Sequence, residues 1–252
     1  RLIKNDFMAA FNDVDLCLSI RQLGYLTVWT PHAMVLHEGA ASMTKLDQAD
    51  PELKQRRLVA AQDAIYSKWL PQLARDPAYN VNLTLQGVGA TNFSLEPGLR
   101  TGWSAFSKAQ LPNLLVVPIN ASAIGHYRMS QPMIELEAAN RAEGRICYGL
   151  PSIVEIERQA PDVIVLQGRY NTSKIEDIAQ VKTYSNALRI FELDDYVADI
   201  PSKNDHIRNM PGNLPALLRR GVGMSDRVVV STHALASVGL DFLQPCDVAH
   251  GC

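Results

Sequence analysis

Two periodicities of hydrophobic residues divide this chain into predicted strands and helices. From residue 114 onward, short hydrophobic runs of strand length alternate with stretches whose apolar residues have helical spacing. The runs predict strands at residues 114–118, 146–148, 162–166, 188–193 and 227–230. The other stretches predict helices at residues 131–142, 152–159, 173–185 and 213–221. Because alternating strands and helices form parallel sheets with right-handed crossovers, we expect an α/β fold with a doubly wound sheet.

The first part of the chain predicts a helix followed by two short strands. Apolar residues recur at i, i+4 and i+7 on one face of this helix: Leu16, Ile20 and Leu23. Gly24 ends the helix as a carboxy-terminal cap. Residues 26–29 and 34–36 then predict two strands, and the second strand leads to His37.

A second amphipathic helix is predicted from the spacing of Leu58, Ala61, Ile65 and Trp69. Pro71 is expected to end or bend this helix, because proline lacks the backbone N–H that a helix interior needs. Trp69 is expected in a core or an interface. Residues 87–110 are rich in small and polar residues without a period, which predicts a surface linker.

Composition changes this picture little. The 252 residues are 47% hydrophobic and carry a formal net charge of −2, so a large core is expected and no bulk attraction to nucleic acid. The sequence contains no run of eighteen apolar residues. Four scattered cysteines and the absence of a secretory signal favour the cytoplasm, including the inner membrane face. A start at Arg1 suggests a segment of a longer protein.

Residues 11–42, FNDVDLCLSIRQLGYLTVWTPHAMVLHEGAAS, resemble the carboxy-terminal part of the catalytic domain of family 2 glycosyltransferases, the GT-A class of bacterial polysaccharide synthesis. The resemblance implies that Asp13 is the general base, which takes a proton from an acceptor hydroxyl as the sugar is transferred with inversion. It implies that Asp15 supports the helix start or the acceptor pocket. It also implies that His37 helps to hold a divalent metal, Mg or Mn, on the donor diphosphate.

Two simpler interpretations of these residues stay open. Asp13 could be a helix cap that accepts backbone N–H groups, and His37 could be a structural histidine. The family's nucleotide-binding half, whose Asp-x-Asp motif carries the metal, has no counterpart upstream in these residues. Residues 76–85, DPAYNVNLTL, resemble the tail that follows this catalytic domain, with Val81 in place of a proline.

The sequence segments GHYRMSQP, FELDDY and SDRVVVSTHALA resemble the amino-terminal, Rossmann-like domain of family 4-like GT-B glycosyltransferases. In that class this domain mainly binds the acceptor, and the following domain binds the nucleotide sugar. No Gly-x-Gly-x-x-Gly motif follows the first predicted strand, which disfavours a nicotinamide- or flavin-dependent oxidoreductase.

Three polar groups follow strands of the predicted sheet and should meet at its carboxyl edge, where ligands bind. They are residues 125–128, Asp194 with Asp195, and Ser231 with Thr232. The resemblance implies that the first two groups contact the acceptor: Gly125 lets the backbone approach it, Tyr127 and Arg128 bind hydroxyls or a phosphate, and Asp194 and Asp195 also bind it.

Each of the three groups also has a structural interpretation. Arg128 could form a surface ion pair, Asp194 and Asp195 could cap a strand end, and Thr232 could cap the next helix.

The sequence therefore predicts three regions. Residues 1–45 are the end of a GT-A domain, residues 46–111 a helical tail and linker, and residues 112–252 a truncated GT-B-like Rossmann domain. The expected function is sugar transfer from a nucleotide-sugar donor to a glycan or lipid-linked glycan acceptor in cell-surface polysaccharide or O-antigen assembly. Flanking domains would complete the two sites, so this segment alone is expected to be inactive. The alternative is a non-catalytic glycan-binding or scaffold module.

Overall fold

The computed structural model describes residues 10–34, 50–85, 94–96, 111–197, 211–239 and 247–250. The chain divides into two compact units, Arg1–Leu73 and Ala74–Cys252.

The first unit contains both predicted helices. Helix α1 spans Asn12–Gln22 and helix α2 spans Pro51–Ala74, at the boundary with the second unit. The prediction that Pro71 ends or bends α2 is wrong about the end, because the helix continues to Ala74. A proline removes only one backbone hydrogen bond, which a helix of this length tolerates near its last turn.

Residues 26–29, predicted as a strand, form no strand with the described residues. Leu26 and Trp29 are 82% and 85% exposed, so their apolar pattern is not used for burial in this unit. A strand needs a hydrogen-bonding neighbour, and the sequence pattern alone does not supply one. Residues 35–36 of the second predicted strand, together with His37, lie outside the described residues.

Packing in the first unit centres on α2. Ile65 and Trp69 are almost fully buried, which confirms the prediction that Trp69 is a core residue. Leu18 of α1 packs against this pair. Burial of such side chains contributes roughly 1.5–3 kcal/mol each, so this contact is the main apolar link between α1 and α2.

The second unit consists of alternating strands and helices. Its strands are β1 (Asn113–Val117), β2 (Glu143–Ile146), β3 (Val163–Gln167), β4 (Leu188–Leu193), β5 (Arg227–Val230) and β6 (Asp247–His250). A continuous helical segment follows β1 and has three parts: α3 (Ala123–Gly125), a π-helical segment (His126–Ser130) and α4 (Gln131–Ala138). The later helices are α5 (Ile153–Gln159), α6 (Thr172–Tyr184), α7 (Leu214–Gly223) and α8 (His233–Gly239).

The six strands form one parallel sheet with the order β2-β1-β3-β4-β5-β6. This confirms the α/β fold and the parallel sheet that the alternation predicted. Strand β6 was not predicted, and β2 lies earlier than the predicted strand at residues 146–148. The strand order reverses between β1 and β3, which makes the gap between these two strands the topological switch point of the sheet.

One face of the central strands is fully buried. Val117, Ile164, Leu166 and Phe191 share this face and have no exposed surface. On the other face, Val116 packs against the helical segment that follows β1. Helix α6 presents an apolar face with the spacing that the sequence predicted, formed by Ile175, Ile178 and Val181. Continuous hydrophobic strands of this kind are typical of parallel sheets, because helices cover both of their faces.

Side-chain caps set the starts of two helices beside the sheet. Ser152 and Glu155 form a reciprocal capping box at the start of α5. The Asn171 side chain accepts a hydrogen bond from the Lys174 backbone N–H, 2.9 Å long, at the start of α6. These caps satisfy backbone donors that would otherwise lack partners, which fixes where each helix begins.

Candidate functional site

The carboxyl ends of the strands meet at one edge of the sheet. We call the polar residues there the switch-point rim. It comprises residues 118–128 after β1, 167–170 at the end of β3, 192–195 at the end of β4, and 231–232 after β5. In doubly wound sheets, ligands bind in the crevice outside this edge at the point where strand order reverses. The predicted acceptor-binding residues of the second unit all belong to this rim.

Gly125 is buried and packs against the loop that precedes its own helix. A Cβ atom at this position would lie 1.9 Å from the Asn120 carbonyl oxygen and 3.2 Å from the Pro118 side chain. The glycine therefore allows the helix to approach its own loop closely. The predicted role of Gly125 in backbone contact with a ligand stays a prediction, and the structure supplies a packing reason for the same residue.

Arg128 and Glu192 form an ion pair that joins the π-helical segment to the end of β4. The guanidinium Nε donates to Glu192 Oε1. The Glu192 side chain is 3% exposed and that of Arg128 is 30% exposed, so this is not the surface ion pair that the structural interpretation assumed. Burial raises the pKa of Glu192 above its usual value, while the hydrogen bond and the positive charge of Arg128 act in the opposite direction.

The end of β3 supplies a fourth rim group, residues 167–170, which the sequence interpretation missed. Gln167 is fully buried, and its Oε1 accepts a hydrogen bond of 3.1 Å from the Ile119 backbone N–H. Gly168 has φ +65°, and a Cβ there would lie 2.3 Å from the Ile119 side chain. The sequence contains one signal that could have identified this group, a glutamine and a glycine at the end of a hydrophobic run. A buried glutamine needs hydrogen-bond partners, so its position there indicates a polar environment.

Tyr170 interacts with the carboxylates at the end of β4. Burial raises the pKa of Tyr170 well above its usual value, and the nearby carboxylates of Asp194, Glu192 and Asp195 raise it further. Tyr170 therefore remains a neutral hydroxyl. Ser231 donates to the Asp194 backbone oxygen, at 2.5 Å. Asp195 is exposed, so it is the carboxylate of this group that most readily meets a ligand.

A buried cation directly precedes Tyr170 in the chain. Arg169 is 4% exposed, and burial lowers its pKa, with Asp177 acting in the opposite direction. Burial and the positive charge of Arg169 lower the pKa of Lys174. Burial raises the pKa of Asp177. Arg169 after β3 and Lys174 and Asp177 at the start of α6 thus form a group of two cations and one carboxylate, which the sequence interpretation did not include.

Tyr127 and Thr232 differ in their exposure and contacts. Tyr127 is 68% exposed, and its ring meets that of His126 edge-on at 5.2 Å between centroids. Its ring face is accessible to a ligand. Thr232 Oγ1 accepts a hydrogen bond of 3.1 Å from the Leu235 backbone N–H, which confirms its structural interpretation as a helix cap.

The two aspartates of the first unit have different environments. Asp13 is exposed, and its Oδ1 accepts a hydrogen bond of 2.8 Å from the Val14 backbone N–H. Asp15 is buried, and its Oδ1 accepts from Lys68 Nζ at 2.5 Å and from Trp69 Nε1 at 2.6 Å. Burial by itself would raise the pKa of Asp15, but the two hydrogen bonds outweigh it and the pKa lies below its usual 3.8. Asp15 therefore anchors α1 to α2.

The described residues do not provide a metal site. In this part of the chain no group of three or more His, Cys, Asp or Glu side chains is placed to hold an ion. Asp15 is occupied by Lys68 and Trp69, and His37 lies outside the described residues. A divalent metal on His37 consequently stays a prediction from resemblance.

None of the helices in the described ranges is both long and apolar enough to span a membrane.

Comparison with known proteins gives one partial match. No family model and no solved structure matches this chain. It is 39% identical over 85 residues to a protein of Sinorhizobium fredii (strain NBRC 101917 / NGR234) whose printed name is "Uncharacterized protein y4gI". The matched segment covers 34% of this chain and 9% of that protein. The chain thus spans less than a tenth of its relative's length, and the relative's name states no activity.

Proposed function

We propose that this chain belongs to a glycosyltransferase that moves a sugar from a nucleotide sugar to a glycan or lipid-linked glycan acceptor in cell-surface polysaccharide assembly. In this proposal residues 1–45 are the end of a GT-A catalytic domain, and residues 112–252 are the acceptor-side Rossmann-like domain of a GT-B module. The proposed location is the cytoplasm. The observation that carries the proposal is the switch-point rim, a group of polar residues at the edge of the sheet where ligands of this fold class bind.

The rim has the chemistry that recognition of a polyhydroxylated acceptor needs. Asp194 and Asp195 accept hydrogen bonds, and Arg128 carries guanidinium N–H donors besides the Nε that contacts Glu192. The exposed ring of Tyr127 offers an apolar surface beside these polar groups. A few placed polar groups next to an aromatic surface are typical of small-molecule sites, because the apolar contact contributes affinity and the polar groups fix orientation.

Asp13 is the proposed general base of the GT-A module. Its exposed carboxylate accepts the proton of the acceptor hydroxyl while that oxygen bonds to the anomeric carbon and the nucleoside diphosphate departs, which inverts the anomeric configuration. Asp15 supports this step only by anchoring the helix on which Asp13 lies. A divalent ion would serve the donor diphosphate, with His37 as the residue of this chain proposed to bind it.

A glycan array with the 252-residue chain tests acceptor binding. The chain should bind a defined class of oligosaccharides. Tyr127→Ala and Asp195→Asn should lose this binding, because both residues are exposed at the rim. Tyr25→Ala is the matched control, since Tyr25 is also 68% exposed but lies in the first unit. Absence of glycan binding, or equal loss in Tyr25→Ala, would contradict the proposal.

A non-catalytic glycan-binding module is the second candidate. It is favoured by the engagement of Asp15 with Lys68 and Trp69, which leaves Asp13 as the one accessible carboxylate of the pair. The two candidates differ in chemistry and can be separated in the longest natural form of the protein. Asp13→Asn should abolish sugar transfer there if Asp13 is the base. Unchanged transfer in that variant would remove Asp13 from the mechanism.

A further inference from the structure

A cavity lies at the amino-terminal edge of the sheet, opposite to the switch-point rim. Its volume is about 400 Å³, within the roughly 300–1,000 Å³ range of small-molecule sites. Its walls come from the end of α2, the segment around residues 81–82, Glu96, the start of β1, β2 and the end of α5. All of these parts belong to the second unit from Ala74 onward.

The cavity wall carries an excess of positive charge. Three arginines line it, Arg75, Arg145 and Arg158, together with a single carboxylate, Glu96. The lining residues therefore sum to +2, three positive charges less one negative charge, in a chain whose formal net charge is −2. Because opposite charges attract most strongly away from bulk water, an anion in this cavity would be favoured.

Contacts within the wall fix two of these arginines. Arg145 Nη1 contacts Glu96 Oε1 at 2.5 Å, and both side chains are less than 10% exposed. Arg158 donates to the backbone oxygens of Leu83 and Asn80 at 2.9 and 3.2 Å. Since backbone carbonyls carry no net charge, Arg158 retains its full positive charge beside the cavity.

Arg75 is the most accessible of the three arginines. It pairs with Glu157 at 3.4 Å, and its side chain is 58% exposed, so this contact contributes little energy. Glu157 does not line the cavity. Arg75 can therefore turn its guanidinium toward a bound anion at small cost.

The carbonyl oxygens at the end of α5 have a hydrogen-bond partner within the wall. Asn113 Nδ2 donates to the oxygens of Gln159 and Ala160 at 2.8 and 3.1 Å. These oxygens therefore repel an anion in the cavity less than unpaired carbonyl oxygens would.

We propose that this cavity binds the phosphate group of a small phosphorylated molecule. A phosphate monoester carries a charge of about −1.5 to −2 near neutral pH, which matches the +2 of the lining residues better than a single carboxylate does. Arginine forks also match phosphate oxygens in geometry. The site is independent of the proposed acceptor rim, because it lies at the other edge of the sheet.

Isothermal titration of the 252-residue chain with inorganic phosphate, at constant ionic strength, tests the proposal. One phosphate should bind per chain. Asn82→Asp adds a negative charge to an exposed lining residue without changing its size and should weaken binding about tenfold. Arg75→Gln should weaken it by a similar factor.

The matched control is Lys182→Gln, which also removes one positive charge but from an exposed residue of α6 that does not line the cavity. It should leave phosphate binding unchanged. Equal weakening in all three variants, or no phosphate binding in the wild-type chain, would overturn the proposal. Succinate is the carboxylate probe, and binding of succinate as tight as that of phosphate would overturn the assignment to phosphate.

Discussion

Replacement of Arg128 by methionine tests whether the ion pair with Glu192 determines the stability of the rim. The substitution keeps most of the side chain's length and removes its charge, which leaves a carboxylate that is 3% exposed without its cation. Loss of one partner of a buried pair costs about 3–5 kcal/mol. Arg128 itself is 30% exposed, so we expect the lower end, about 3 kcal/mol. For a unit of this size that loss lowers the melting temperature by roughly 6–12 °C.

The loss should depend on pH in a specific direction. The pKa of Glu192 is raised in the folded chain, and removal of Arg128 raises it further, because Arg128 favours the ionised carboxylate. A group with a raised folded pKa contributes stability that is present below its unfolded pKa and is lost as pH rises through the folded pKa. The deficit of Arg128→Met relative to wild type should therefore be larger near pH 7 than near pH 5.

Differential scanning calorimetry of both proteins over this pH range measures the effect. Glu192→Gln is the companion variant, and it should cost only about 1 kcal/mol, because Arg128 is exposed enough to be hydrated. The double variant should lose less than the sum of the two single losses. An equal loss at all pH values, or a larger loss in Glu192→Gln than in Arg128→Met, would refute this account of the pair.

Three further predictions follow from single residues. Gly168→Ala should lower the free energy of unfolding in urea titrations by about 1–3 kcal/mol, because φ is +65° there and a Cβ atom would overlap Ile119. An unchanged urea midpoint would contradict this prediction. Asp15→Asn should cost about 1–2 kcal/mol near pH 7. It should also flatten the loss of stability below about pH 4, because a carboxylate with a lowered folded pKa stabilises the fold above its unfolded pKa and loses this effect as pH falls through the folded pKa. An equally steep loss of stability at acid pH, followed by tryptophan fluorescence, would disprove this. Cys147 should react with a maleimide more slowly than the half-buried Cys17 in peptide mass spectrometry, because burial raises its thiol pKa; equal rates would contradict this.

The parallel sheet could be predicted from sequence because its strands are continuous hydrophobic runs. Residues 188–193 and 227–230 were predicted with the bounds that β4 and β5 have. Strand β2 was predicted too late, since only one of its four residues, Ile146, is strongly hydrophobic. Its Gly144 packs so closely against β1 that a Cβ atom there would lie 1.9 Å from the Leu114 carbonyl oxygen. This is a tertiary contact, which the local sequence pattern cannot predict.

Three of the four rim groups could be predicted from sequence, but the contacts that hold their side chains could not. Arg128, Asp194 and Asp195 were placed at the correct edge, because carboxyl ends of parallel strands share one side of a sheet. The partner of Arg128 was missed, since Glu192 lies inside a strand and its burial depends on neighbouring strands. The anchoring of Asp15 by Trp69 was missed for a related reason, because 54 residues separate the two in sequence.

The central claim is that the switch-point rim binds a glycan acceptor, and NMR chemical-shift mapping tests it most directly. The isotope-labelled 252-residue chain would be titrated with an oligosaccharide that the array identifies. The account predicts shifts that concentrate on the amides of Tyr127, Arg128 and residues 192–195. Shifts confined to other surfaces, or no shifts with any array-positive glycan, would contradict it.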